Sequence, residues 1–123
     1  MDLIRLGIAD DNLGFSALLK DYFSAQPEFK VLFTAANGYE LIAALRVQEL
    51  DVLLLDLIMP QLDGLGVLKW LKEHRLPKKP KVIIFSAFAK EEIAQKAVDL
   101  GVDYYILKPF DFKILKQRII DIA

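Results

Sequence analysis

The sequence predicts one α/β domain in which helices cover both faces of a parallel sheet of five strands. Short apolar runs alternate along the chain with segments whose apolar residues follow a helical period. Most of the short runs are continuous rather than alternating, which is typical of strands buried on both faces of a parallel sheet. With 123 residues, the chain has room for one hydrophobic core.

The five predicted strands are close to the usual strand length. They comprise Leu3–Ala9, Lys30–Ala35, Val52–Asp56, Lys81–Ser86 and Tyr104–Lys108.

Apolar residues spaced three and four apart predict five helices, each with one buried stripe. The stripes are Phe15, Leu18, Leu19, Tyr22 and Phe23; Leu41, Ile42 and Leu45; Leu65, Leu68 and Leu71; Ile93, Ala94, Ala97 and Val98; and Phe112, Leu115 and Ile119. Three prolines and one glycine lie where the predicted helices and strands begin or end. Pro27 follows the first helix, Pro77 and Pro80 bracket the loop before the fourth strand, and Gly101 occupies the place of a helix C-terminal cap.

The composition excludes several classes of function. The 16 basic and 17 acidic residues nearly cancel, which argues against a broad electrostatic surface for nucleic acid. The chain has no cysteine and a single histidine, His74, so disulfides, cysteine nucleophiles, zinc–thiolate sites and histidine metal clusters are excluded. The start of the sequence lacks the features of a signal peptide, and no apolar run approaches the roughly 20 residues of a membrane span. We therefore expect a cytoplasmic protein that does not bind a membrane.

Polar residues fall where the predicted strands end. Asp10 and Asp11 follow the first strand, Asp56 ends the third, Ser86 ends the fourth and Lys108 ends the fifth. In a parallel sheet these carboxyl ends share one edge, where open α/β sheets bind ligands. If the first and third strands are neighbours, the three carboxylates converge, and Ser86 and Lys108 approach them from the other side.

Such a group of side chains favours a divalent cation and phosphoryl chemistry. Like charges brought together raise the pKa values of the carboxyl groups or recruit a cation, and oxygen ligands alone favour Mg²⁺. A carboxylate beside Mg²⁺ and a lysine can accept a phosphoryl group. Asp56 stands alone at its strand end and is the best acceptor, whereas Asp10 and Asp11 are better placed as ligands; Ser86 and Lys108 would contact phosphoryl oxygens. The alternative is that the acidic residues only cap the helices that follow them.

The motifs that carry these residues resemble the receiver domain of bacterial response regulators over the whole chain. They are DD at residue 10, LLLDLIMPQLDG around Asp56, FSA at Ser86 and LKPF at Lys108. The resemblance implies a flavodoxin-like doubly wound sheet of order 2-1-3-4-5 with five helices. It implies phosphorylation of Asp56 by a phosphohistidine donor, either a phosphotransferase or a histidine kinase. Mg²⁺ would be bound by Asp10, Asp11, Asp56 and the backbone carbonyl of Ile58.

The same resemblance suggests how phosphorylation would be transmitted. Ser86 stands where threonine is more frequent, and Tyr105 matches the aromatic switch position, although an aromatic residue could simply fill a strand there. On phosphorylation, Ser86 would move toward the phosphoryl group and Tyr105 would turn inward. The family commonly has a cis peptide at the bond equivalent to Lys108–Pro109.

The segments ADDN, DLIMPQLDGLGVL, SAF, KAVDLG and YYILKPFD are further similar to the receivers of sporulation transcription regulators. This implies a domain that forms a homodimer on phosphorylation and contacts DNA only through an effector domain absent from this chain. The last helix has a wide apolar face, with Ile114 and Ile120 beside its stripe. We therefore expect the partner surface on the fourth helix, fifth strand and fifth helix, unless the extra apolar residues belong to the core.

Other functions remain open at this point. The chain could be a stand-alone receiver that acts as a phosphorelay intermediate or a protein-binding switch. We expect no enzymatic activity beyond its own phosphoryl acceptance and the slow hydrolysis of its acyl phosphate. An aspartate-nucleophile phosphatase usually has an acid two residues after the nucleophile, where this chain has Ile58. A flavodoxin-like cofactor binder would bring its phosphate against Asp10 and Asp11. Ile58 and Phe88 are either core residues or apolar groups that exclude water from the acyl phosphate.

Overall fold

A computed structural model describes residues 2–87, 91–108 and 110–123 of the chain, in which strands and helices alternate. The strands are β1 Ile4–Ala9, β2 Phe29–Ala35, β3 Val52–Asp56, β4 Lys81–Ser86 and β5 Tyr104–Leu107. The helices are α1 Leu13–Ser24, α2 Gly38–Val47, α3 Gly64–Glu73, α4 Glu91–Asp99 and α5 Phe112–Ile122. The predicted strands are confirmed, with differences of one residue at three ends: β1 begins at Ile4, β2 begins at Phe29 and β5 ends at Leu107.

The strands form one parallel sheet of order β2-β1-β3-β4-β5, which confirms the flavodoxin-like doubly wound fold. β3 is the central strand, and all five of its residues are buried. It pairs with β1 on one side and β4 on the other, so that Asp56 lies opposite Phe85. The carboxyl ends of β1, β3 and β4 therefore meet at one edge of the sheet.

Two apolar clusters cover the two faces of the sheet. Leu53 and Leu55 of β3 belong to the cluster under α2, α3 and α4, whereas Val52 and Leu54 belong to the cluster under α1 and α5. Successive strand residues point to opposite faces, so burial on both faces requires an apolar residue at nearly every position. This explains the continuous apolar runs of the strands.

The buried stripes of two helices are narrower than the sequence predicts. Leu18 of α1 and Val98 of α4, both predicted to be buried, are 60% and 55% exposed. α1 meets the sheet through Ser16, Leu19 and Phe23, which are spaced three and four apart, so Leu18 lies beside the contact. Ser16 is buried although it is polar, because its hydroxyl donates to the backbone carbonyl of Asp10 at 3.2 Å.

Short polar side chains and one glycine cap the helix ends. Asn12, Asn37, Asp63 and Asp111 cap the N-termini of α1, α2, α3 and α5 with side-chain oxygens that accept backbone N–H groups. Gly101 follows α4 with a φ of 91°, a left-handed conformation that confirms its predicted capping role. Among the described residues, we find no helix whose length and apolar character would let it cross a membrane.

Candidate functional site

Three carboxylates meet at the carboxyl edge of the sheet, as the sequence predicts. Asp10 directly follows β1, Asp56 ends the neighbouring β3, and each of Asp10, Asp11 and Asp56 offers an oxygen within 4.8 Å of the other two. Asp10 and Asp56 are buried, with exposed fractions of 0% and 6%, whereas Asp11 is exposed. The cluster therefore has two buried carboxyl groups and one that is open to solvent.

Lys108 supplies a positive charge between the buried carboxylates. Its Nζ donates a hydrogen bond to Oδ2 of Asp10 at 2.9 Å and lies 3.5 Å from Oδ2 of Asp56. The backbone N–H of Lys108 donates to the carbonyl of Ser86 at 2.8 Å, which fixes the chain where it leaves β5. The lysine predicted from the last strand end thus reaches two of the three carboxylates that the sequence assigns to the site, Asp10 and Asp56.

The acidic residues are not the helix caps. Asn12 caps α1 and Asp63 caps α3, so the interpretation of Asp10, Asp11 and Asp56 as capping residues is wrong. Asp10 instead accepts the backbone N–H of Asn12 at 2.9 Å. In the same way, Oδ1 of Asp56 accepts the backbone N–H of Ile58, two residues later, at 3.2 Å. These two hydrogen bonds orient the carboxylates at the start of the loops that follow β1 and β3.

The electrostatics of Asp56 follow from its place in the cluster. Burial, followed by the hydrogen bond and the negative charge of Asp10, raises the pKa of Asp56 to about 7, although the charge of Lys108 opposes this. A cation among the carboxylates would favour the ionised form. The ligands on offer are carboxylate oxygens, which suit Mg²⁺ better than zinc or copper. The residues present therefore fit the expected metal.

A shallow pocket opens over these carboxylates. Its lining consists of Asp10, Asp11, Asn12, Asp56, Ile58, Ala87 and Lys108. Ile58 is 47% exposed, so its side chain lies at the rim and the interpretation of Ile58 as a core residue is wrong. Ser86 is completely buried at the end of β4, directly before Ala87. The pocket brings together residues from four strand ends.

The remaining predicted residues lie further from the carboxylates or outside the described part. Tyr105 is half-buried in β5, opposite Ile84, and packs against the cluster under α2, α3 and α4. Phe88 and the Lys108–Pro109 bond fall outside the described residues. Sequence reasoning missed Asn12, which lines the pocket, and the contact of Phe15 with Lys108, because the helical period of Phe15 indicated only packing.

Comparisons with known proteins agree with this geometry. The family model of the response regulator receiver domain matches residues 6–120. A CheY-like response regulator receiver domain protein from Methanospirillum hungatei JF-1 is 25% identical, with a TM-score of 0.86, over 98% of this chain and 93% of that chain. A LuxR-family DNA-binding response regulator from Staphylococcus aureus is 28% identical, with a TM-score of 0.90, over 98% of both chains.

A third similar structure contains a metal. It is the CheX–CheY–BeF₃–Mg complex from Borrelia burgdorferi, in which the matched chain is 28% identical, with a TM-score of 0.86, over 96% of this chain and 87% of that chain. Receiver domains are signalling domains rather than classical enzymes; they bind Mg²⁺ at an acidic pocket and interact with histidine kinases or phosphotransfer partners. Because the family match spans nearly the whole sequence, the chain belongs to the response regulator receiver domain family.

Proposed function

We propose that this chain is a phosphorylation-activated receiver that accepts a phosphoryl group on Asp56. Mg²⁺ would be held by Asp10, Asp11, Asp56 and the backbone carbonyl of Ile58. The observation that carries this proposal is the position of Lys108, whose ammonium lies 2.9 Å from Asp10 and 3.5 Å from Asp56, within a cluster of three carboxylates. If these residues only capped helices or packed in the core, neither the contacts of Lys108 with the carboxylates nor the convergence of three carboxylates would be needed.

The chemistry is a phosphoryl transfer to a carboxylate. An oxygen of Asp56 bonds to phosphorus while the bond from phosphorus to the histidine nitrogen of the donor breaks, and that nitrogen keeps the electron pair. Mg²⁺, when held by these residues, would supply positive charge against the phosphoryl oxygens. Lys108 would pair with a second phosphoryl oxygen, and the hydroxyl of Ser86 would donate a hydrogen bond to a third. No general base is needed, because the nucleophile is already an anion when Asp56 is ionised.

The proposed output is a dimer formed through α4, β5 and α5. Support comes from exposed apolar residues on each of these elements, with Val98 at 55%, Leu107 at 44% and Ile114 at 52% exposed. Movement of Ser86 toward the phosphoryl group and of Tyr105 inward would couple the pocket to this surface. The apolar Ile58 at the pocket rim would slow hydrolysis by excluding water, so Ile58→Asn should shorten the life of the phosphorylated form.

The motifs around these residues further suggest a role in sporulation. They resemble the receiver part of stage zero sporulation protein A, which implies a cytoplasmic transcription regulator with a separate DNA-binding effector domain. The alternative, a stand-alone receiver that acts as a phosphorelay intermediate or protein-binding switch, uses the same pocket. The two differ in whether phosphorylation changes the binding of DNA by a longer protein. An aspartate-nucleophile phosphatase is disfavoured, because Ile58 provides no acid for the leaving group.

The central test is covalent labelling. The chain is incubated with Mg²⁺ and acetyl phosphate, and the mass of the intact protein is measured. We expect a gain of one phosphoryl group in the wild type and no gain in Asp56→Asn. Asp63→Asn is the matched control, since Asp63 caps α3 outside the cluster, and it should be labelled like the wild type. A wild-type chain that stays unlabelled would refute the proposal.

The dimer is tested by sedimentation with and without beryllofluoride as a phosphoryl mimic. We expect beryllofluoride to shift the wild type toward a dimer and to leave Ile114→Ser monomeric. Leu18→Ser is the matched control, because Leu18 is at least as exposed, at 60% against 52% for Ile114, but lies on α1. If both variants dimerise like the wild type, the surface is not formed by α5.

A further inference from the structure

The ammonium group of Lys108 contacts aromatic rings as well as carboxylates. Its Nζ lies 4.5 Å from the ring centroid of Phe15 and 4.9 Å from that of Phe85. Both distances are within the roughly 6 Å over which a cation is attracted to the face of an aromatic ring. Asp10 and Asp56 contact the same nitrogen. The ammonium is therefore contacted by two carboxyl groups and two rings.

Other side chains fix the two rings in place. Phe85 is completely buried in β4, where it pairs with Asp56 across the sheet. The Phe15 ring packs edge-on against Phe85, with 5.7 Å between centroids, and also contacts the rings of Phe110 and Phe112. α1, which carries Phe15, begins directly after the loop of Asp10 and Asp11. Neither ring can leave Lys108 without disturbing this cluster.

We infer that Phe15 and Phe85 are positioning residues that hold the Lys108 ammonium at the place where phosphoryl oxygens bind. This inference rests on the proposed function. A lysine side chain is flexible and its ammonium is strongly hydrated, so a free lysine would spend much of its time in water. The two ring faces replace part of that water with a weak attraction of fixed direction. The ammonium then needs little reorganisation when the phosphoryl group arrives.

The rings act on the rate through Lys108 alone. With acetyl phosphate as donor, the bond from Asp56 oxygen to phosphorus forms as the phosphorus–oxygen bond to acetate breaks, and acetate leaves with the electron pair. Negative charge on the transferring group is stabilised by cations already in position. An aliphatic residue at position 15 would fill similar space but offer no negative ring face to the ammonium. The rate should therefore depend on the electron density of the ring.

Graded fluorination of Phe15 tests this dependence. Fluorine atoms keep the size of the ring close to that of phenylalanine but withdraw electron density from its face. We expect the rate of phosphorylation by acetyl phosphate to fall with each added fluorine, by about 3- to 10-fold in total, as expected for loss of a partly desolvated cation–π contact. The affinity for Mg²⁺, measured by calorimetry, should stay unchanged. Fluorination at Phe112 is the matched control, because that ring packs on Phe15, whereas the rings described over the Lys108 ammonium are those of Phe15 and Phe85; the rate should stay constant.

A second measurement does not require phosphorylation. In the wild type, ring currents should shift the ε-methylene protons of Lys108 upfield in NMR spectra, and Phe15→Leu should return them toward ordinary lysine values. A rate that does not respond to fluorine at Phe15 overturns the positioning role. If the wild type takes no phosphoryl group at all, the proposed function fails instead. The Lys108 resonance then decides whether the rings hold the ammonium, and an unshifted resonance overturns the inference.

Discussion

Gly64, the first residue of α3, lies directly against the backbone of Asp56. A Cβ atom at position 64 would be 2.6 Å from the carbonyl oxygen of Asp56 and 2.8 Å from Cα of Leu57. The backbone N–H of Gly64 also donates to the carbonyl of Leu57 at 2.9 Å. These contacts are with backbone rather than with flexible side-chain ends, so a larger residue could fit only if α3 or the end of β3 moved. Gly64 thus lets the helix support the residue at the centre of the site.

We predict that Gly64→Ala destabilises the protein by about 2–3 kcal/mol, because overpacking against backbone forces a shift of the chain. The displaced end of β3 should also slow phosphorylation of Asp56. The free energy of unfolding in urea measures the first effect, and labelling by acetyl phosphate measures the second.

Gly14→Ala is the matched control for this prediction. Gly14 lies in α1, and a Cβ there would be 3.5 Å from its nearest neighbour, Oδ1 of Asn12. Because alanine favours a helix more than glycine does, this change should raise the free energy of unfolding by up to about 1 kcal/mol. If Gly64→Ala is as stable as Gly14→Ala, the close approach of α3 to Asp56 does not constrain position 64.

The sequence was sufficient for the parts of the site that depend on topology. Asp10 and Asp56 stand at strand ends, and parallel strands bring those ends together whatever the details of packing. The sequence could not show which apolar residues of α1 face the sheet, because Leu18 and Leu19 satisfy the helical period equally well. It also could not connect Phe15 with Lys108, since such a contact depends on where a flexible lysine side chain turns after it leaves the sheet.

The raised pKa of Asp56 gives a pH dependence of known sign. Its pKa of about 7 in the folded protein lies above its ordinary value of 3.8, because burial and Asp10 disfavour the charge. The folded state therefore holds this proton more tightly than the unfolded state, and stability falls as the pH rises from about 4 to 7. We predict that Asp56→Asn, which removes the charge, is more stable than the wild type by about 1–3 kcal/mol at pH 8.

This difference should disappear near pH 4, where Asp56 is protonated in the wild type. The measurement is the free energy of unfolding in urea at several pH values, without Mg²⁺. Asp63→Asn serves as the control, because Asp63 is an exposed cap of α3 and its amide can keep that role. A stability advantage of Asp56→Asn that is the same at both pH values would show that charge is not its cause.

Asp51 lies at the amino end of β3, opposite the end that carries Asp56, and its contribution to stability has the reverse pH dependence. Burial acts to raise the pKa of Asp51, but hydrogen bonds from Arg5 and Lys78 outweigh it and hold that pKa well below its ordinary value. Asp51 also accepts the backbone N–H of Arg5 at 2.7 Å, directly before β3 begins. A lowered pKa contributes stability above about pH 4, and this contribution is lost as the pH falls.

We predict that Asp51→Ala destabilises the protein by about 1–3 kcal/mol at pH 7, because the half-buried backbone N–H of Arg5 and the cations of Arg5 and Lys78 lose this acceptor. The loss should be smaller at pH 3, where part of the contribution of Asp51 has already gone. Urea unfolding at the two pH values measures both effects. Phosphorylation of Asp56 by acetyl phosphate should continue at the wild-type rate in the folded variant, since Asp51 lies at the other end of β3. A variant that folds but is labelled slowly would contradict this separation.

The loop between Asp56 and α3 contains a residue in a strained backbone conformation. Gln61 has a φ of 67°, and the N–H of Leu62 donates to the carbonyl of Pro60 at 2.8 Å, so the chain turns tightly at Gln61. Residues with a Cβ rarely adopt positive φ, and asparagine tolerates it better than glutamine, whereas β-branched residues tolerate it worst. We predict that Gln61→Asn raises the free energy of unfolding by up to about 1 kcal/mol and that Gln61→Val lowers it by at least about 1 kcal/mol.

The turn at Gln61 also connects the site to α2. The carbonyl of Leu62 accepts the N–H of Gly38, the first residue of α2, at 2.9 Å. A strained variant can relieve its strain by moving Leu62, and this would loosen the start of α2. Amide hydrogen exchange at Gly38 should therefore be faster in Gln61→Val than in the wild type and no faster in Gln61→Asn. Exchange at Gly38 could instead be the same in all three proteins while stability changes as expected. The strain would then be confined to the turn, and the hydrogen bond between Gly38 and Leu62 would not transmit it to α2.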